Sequence, residues 1–144
     1  MKFRDLFSSR SIRQLIFVVL LFALLIPIAI WDSDTQVKVQ FSDVDVFVKC
    51  DRYNMTIPYE DIASVELADL AEPGEKVENG FDNDIIRAGM WKNDTWGEYH
   101  ICADLDTTVC VVIKLEDGRT FVFSCKSDKA TAEDYKELQA HLNP

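Results

Sequence analysis

Four cysteines, two histidines and a series of closely spaced aspartates are the side chains of this 144-residue chain whose types could do chemistry. Cys50, Cys102, Cys110 and Cys125 make an even set without a single C-x-x-C spacing. That spacing is what a zinc site or a thioredoxin-type redox motif needs, and an even set in a domain expected outside the cytoplasm points toward disulfides instead. Neither His100 nor His141 has a nucleophile elbow or recognisable motif nearby. Serine- or cysteine-based catalysis needs a histidine oriented beside its nucleophile. The chain therefore reads as non-enzymatic, with no cofactor.

Aspartates recur as D-x-D at Asp32/Asp34, Asp43/Asp45, Asp82/Asp84 and Asp104/Asp106. Two carboxylates at i and i+2 in a turn can converge on Ca²⁺, but an EF-hand loop needs Gly at its sixth position and Glu at its twelfth. Counting from Asp82 gives Arg87 and Asn93, and counting from Asp104 gives Val109 as the sixth. Solvated turn carboxylates are the expectation, with no metal site. Aromatic residues gather in one hairpin: Trp91, Trp96 and Tyr99, with Phe81 shortly before. Exposed, they would form a peptide or glycan platform; turned inward, they would fill a core. They are the candidate binding residues; alternation alone does not fix which face is inward, and the core role is the favoured alternative.

The charge is divided unevenly along the chain. Four basic residues (Lys2, Arg4, Arg10, Arg13) and one acid, Asp5, precede an apolar run; from Asp32 onward 24 acidic residues face 11 basic ones, a net of −13. Such a domain repels phosphate backbones and anionic headgroups, so neither nucleic acid nor an anionic lipid headgroup is expected as a ligand. The apolar run itself, 15–31, holds 17 residues without a charge. As helix it covers about 25 Å of a hydrocarbon core of about 30 Å. Arg13 and Gln14 can snorkel at one end, while Trp31 has the character of an interfacial aromatic at the other. No A-x-A cleavage signal ends the run, which favours a retained anchor over a signal peptide. The expected layout is a basic cytoplasmic segment over 1–13, a transmembrane helix over 14–31 and an acidic domain over 32–144. The basic flank sets the N-terminus in the cytoplasm and the domain outside.

Beyond residue 32 apolar residues recur with period two, the signature of half-buried strands. Strands are expected over 37–41, 44–48, 53–57, 62–67, 85–91, 96–102, 109–115 and 119–125. Residues 70–84, with Pro73, Gly74, Gly80 and several acids, read as a long loop. Thr131 reads as the N-cap of a closing helix that puts Tyr135, Leu138 and Leu142 on one face. These elements predict a mainly β domain, an antiparallel barrel or sandwich of about seven strands with one C-terminal helix.

The Asp117-Gly118 pair between two strongly β-forming runs predicts a tight hairpin. With a two-residue turn, opposed residues sum to 235, which sets Cys110 across from Cys125 and makes a disulfide between them the leading pairing. A three-residue loop with a bulge at Gly118 would shift the sum to 234 and set Cys110 against Ser124. Cys50 and Cys102 would pair only if their strands meet.

Ile57-Pro58-Tyr59-Glu60-Asp61-Ile62 with Val65-Glu66-Leu67 resembles the early segment of bacterial pleckstrin-homology-like (PH-like) domains. Arg87-x-Gly89, Gly97-x-Tyr99, Val111-Val112-Ile113, Asp117-Gly118 and the Thr131/Tyr135 helix extend the likeness from about Val37 to Leu142. The resemblance implies a PH-like fold following a membrane segment, without catalytic activity. Eukaryotic PH domains bind phosphoinositides through clustered basic residues, a cluster this sequence lacks. The expected function is a membrane-anchored binding or scaffolding module that engages a protein or peptide partner. The competing reading is an extracytoplasmic sensor of a small ligand or Ca²⁺ through the acidic loops.

Overall fold

The computed structural model describes residues 10–31, 37–51 and 53–144. The chain divides into two compact units, Met1–Asp34 and Thr35–Pro144. The first holds helix α1 (Arg10–Trp31), whose described side chains are those of 12–23. Among the described residues no helix is long and apolar enough to cross a membrane. The side chains of 24–31, including Pro27 and Trp31, lie outside the described residues, as do residues 1–9 and the Asp32/Asp34 pair.

The second unit is mainly β. Strands β1 (Lys38–Phe41), β2 (Asp45–Cys50) and β3 (Tyr53–Pro58) form a three-stranded antiparallel meander. A 3₁₀ turn at Tyr59–Asp61 leads into β4 (Ile62–Asp69), β5 (Glu75–Asp82), β6 (Ile86–Asn93), β7 (Gly97–Asp104), β8 (Val109–Leu115) and β9 (Thr120–Ser124). These six make one sheet in the order β4-β8-β9-β7-β6-β5, and helix α2 (Asp128–Leu142) closes the chain.

Two expectations are corrected here. Nine strands are described rather than about seven, and β7 runs parallel to β9, so the unit is not purely antiparallel. The strand missed is β5, in the stretch that reads as a loop. Its glycine and acids lower its β-propensity, yet it pairs with β6 through two register breaks, between Lys76 and Glu78 and between Glu78 and Phe81. Opposite the second break Gly89 holds φ +97°, and a Cβ there would lie 2.1 Å from the Asn79 carbonyl oxygen. The backbones approach closely at a bulge that only glycine permits.

Both faces of the six-stranded sheet are apolar at its centre. Ile86, Ala88, Cys102, Val111, Ile113 and Phe123 face the three-stranded sheet, where Val46, Val48, Met55 and Ile57 meet them, and α2 adds Leu138. The other face carries Trp91, Tyr99, Ile101, Val112 and Val122. This follows from the near-continuous apolar runs of β7–β9, the mark of strands buried on both sides. Laid flat, six strands would separate β4 from β5 by about 24 Å. The chain from Asp69 to Glu75 reaches only about 20 Å when fully extended, so the sheet has to curl over its second face. The Tyr99 hydroxyl donates to the carbonyl of Pro73 in that linker at 2.7 Å, tying it down.

Helix α2 starts four residues earlier than its sequence suggests. Ser127 is the N-cap and accepts from the Ala130 N–H at 3.1 Å, while Thr131 lies inside the helix. The Thr131 hydroxyl instead accepts from the Cys125 N–H at 3.0 Å and donates to the Ser127 carbonyl at 2.8 Å. Serine caps as well as threonine, and Asp128 in the first turn complements the helix dipole.

Candidate functional site

The aromatic cluster is structural. Trp91 and Tyr99 are buried at 4% and 1% exposure, in keeping with the inward, core-filling alternative and not with an exposed binding platform. They sit on β6 and β7 directly opposite each other, and their side chains fill the second core. The Trp91 indole N–H donates to the Ala88 carbonyl at 2.9 Å, and Lys76 and Arg87 lie over its ring. Trp96 meets Tyr99 edge-on with centroids 5.0 Å apart, and half-buried Phe81 packs on the other core.

The aspartates are spent on turns. The carboxylate of Asp82 accepts from the Asp84 N–H at 3.1 Å and from Arg87 at 3.0 Å, and that of Asp104 accepts from the Asp106 N–H at 3.0 Å. Asp45 accepts from the Ser42 hydroxyl at 2.7 Å. No group of three metal-ligating side chains forms among the described residues, and none of their buried side-chain polar atoms lacks a partner.

The cysteines depart from the leading pairing. The β8–β9 register pairs Val111 with Phe123 and Ile113 with Phe121, a sum of 234. Glu116, Asp117 and Gly118 form a three-residue loop: Gly118 takes φ +92°, and the Leu115 N–H donates across it to the Arg119 carbonyl at 2.9 Å. Extended by one step, this register sets Cys110 against Ser124, so Cys110 and Cys125 are not cross-strand partners. They also pack in different cores, Cys110 on the second face and Cys125 on the first. Burial pushes the Cys110 thiol up to about 12. Burial also raises Cys125, helped by the Asp134 carboxylate that its thiol reaches at 2.7 Å. Neither is a ready thiolate.

His100 sits on β7 with its Nδ1 2.5 Å from the Tyr53 hydroxyl and its ring stacked on Phe121. Burial, then the nearby Arg119 cation, hold its pKa below the ordinary 6.5. His141 on α2 lies stacked between Phe41 and Tyr59. Both histidines join elements together through their rings.

What remains outward is a strand edge. β4 terminates the six-stranded sheet, so along one side its backbone groups have no strand partner among the described residues. A groove of about 340 Å³ lined by Tyr59, Ile62, Val65, Gln139 and Leu142 runs between β4 and the end of α2. Glu60 and Asp61, just before β4, and Glu66 and Asp69 on it are exposed. Edges are ordinarily blunted by lysine, proline, short length or bulges. β1 has four residues with Lys38, β3 ends at Pro58, and β5 carries Lys76 and two register breaks. β4 runs for eight residues, IASVELAD, with no Lys, Arg or Pro and a single shift near its start. Sequence reading found this strand but not its edge position, which depends on the non-local β7–β9 pair.

Comparison of the chain with protein-family models, curated proteins and solved structures finds no match.

Proposed function

We propose that this protein is a non-catalytic, membrane-anchored binding module whose β domain takes an extended segment of a protein partner along the outer edge of β4. The observation that carries the reading is that edge: long, unblocked and beside a groove that can hold alternate side chains. Strand addition uses main-chain hydrogen bonds for affinity and such pockets for specificity. The four acids beside it select a segment with apolar residues at alternate positions and Lys or Arg at its flanks.

The anchor reading draws on the uncharged run 15–31 and on a backbone that is helical throughout Arg10–Trp31. Eight consecutive large apolar side chains, Leu15 to Phe22, are exposed around the whole helix circumference. An apolar surface of that kind belongs in lipid or in a protein interior. With the basic residues preceding it, the domain faces away from the cytoplasm. The PH-like resemblance is supported by two packed sheets and a C-terminal helix; the parallel β7–β9 pair departs from the all-antiparallel arrangement it implies. The net charge of −13 from Asp32 onward argues against nucleic acid and anionic lipid as ligands.

The test is selection of a random dodecapeptide library on the full chain held in neutral nanodiscs. Selected peptides should alternate apolar residues between basic flanks and should lose at least tenfold in affinity for the Glu66→Lys/Asp69→Lys variant. Peptides that bind the variant undiminished would reject the β4 edge as the site.

A further inference from the structure

We infer that Cys50 and Cys102 form a disulfide that joins the three-stranded sheet to the six-stranded sheet. Cys50 ends β2 and Cys102 lies two residues before the end of β7, strands that meet face to face across the main core. Their sulfur atoms are 3.0 Å apart, and both thiols point at the Tyr53 carbonyl, at 3.2 Å and 3.4 Å. Closing by about a further 1 Å gives the bond length of an ordinary disulfide. Cys50 and Cys102 are 2% and 0% exposed, so the pair is shielded once the sheets have closed. The other two cysteines are engaged elsewhere, Cys110 with the Asp69 carbonyl and Cys125 with Asp134, and they stay as thiols.

The oxidant is a small-molecule or protein disulfide. The thiolate of one cysteine attacks it, forming a mixed disulfide and expelling one thiolate. The second cysteine then attacks the mixed disulfide, expelling the other. Two thiols lose two protons and two electrons, and the oxidant leaves as two thiols. Because both sulfurs are buried and the Cys102 thiolate is disfavoured by its hydrogen bond with Cys50 and by burial, exchange belongs to the folding chain rather than the finished fold. The bridge spans 52 positions in sequence, a long loop whose closure restricts the unfolded chain strongly.

The full chain, unfolded and refolded in detergent with a glutathione redox buffer, is blocked with iodoacetamide in denaturant, digested without reductant and mapped. The expected result is one linked pair of peptides carrying Cys50 and Cys102, with Cys110 and Cys125 alkylated. Reduction should lower Tm by at least about 10 °C, and a Cys110→Ser/Cys125→Ser variant should keep both the link and the shift. Four alkylated cysteines, a link involving Cys110 or Cys125, or a Tm unmoved by reduction would each overturn the inference. The outcome does not depend on the partner bound at β4.

Discussion

Gly89→Ala tests whether β5 is a strand docked on β6 or the loop its composition suggests. Gly89 holds φ +97°, where an L side chain costs about 1–2 kcal/mol. The new Cβ would lie 2.1 Å from the Asn79 oxygen and 2.6 Å from its carbon, both backbone atoms. Ordinary contact needs about 3.4 Å, so β5 has to retreat by more than 1 Å between its pairs Glu78–Met90 and Phe81–Ala88. Weakening one or two ladder hydrogen bonds there adds about 1–2 kcal/mol. The expected total is about 2–4 kcal/mol, its upper end among the larger effects of a single substitution. Gly97→Ala is the matched control, since Gly97 also has positive φ, +69°, but nothing lies within 4 Å of an added Cβ. It should cost only about 1–2 kcal/mol. Urea titrations of the full chain in one detergent, followed by tryptophan fluorescence, measure both. Equal costs for the two variants would refute the close approach at Asn79 and the pairing of β5 built on it.

Trp91→Ala should destabilise the domain by about 3–5 kcal/mol, because it empties the second core and removes the cover that Lys76 and Arg87 rest on; a cost under about 1 kcal/mol would show that ring to be peripheral. Burial holds the folded-state pKa of His100 below 6.5, so its contribution is complete above that pH and is lost as pH falls through the folded value. His100→Gln should therefore flatten the Tm profile on the acid side of pH 6.5, and an unchanged profile contradicts this. Protease added to intact cells should digest the β domain and leave the N-terminal tail untouched, whereas a protected domain would reverse the topology.

Elements with strong local signals are legible in the sequence, and those set by distant pairing are not. The strongly β-forming runs 109–115 and 119–125 mark β8 and β9 plainly, and Leu138 on the apolar stripe of α2 does reach the core. The hairpin between them shows how narrow the margin is. Asp117-Gly118 suits a two-residue or a three-residue loop, and the difference of one residue decides which side chain faces Cys110. β5 escaped because its glycine and acids suit a loop, and only pairing with β6 through bulges makes it a strand. Trp91 and Tyr99 could have faced either way, since the sheet is apolar on both sides and period-two alternation carries no direction there. The meeting of Cys50 with Cys102, and the edge position of β4, arise from how sheets stack and from a parallel pair, which no local spacing encodes.

Hydrogen exchange with and without a peptide selected on the full chain tests the β4 edge most directly. An added strand would satisfy the outward amides of β4, so exchange should slow along Ile62–Asp69 by at least tenfold at saturation, with β1 and β5 unchanged. Protection confined to another edge, or to the aspartate turns, with β4 exchanging as before, would contradict binding at this strand.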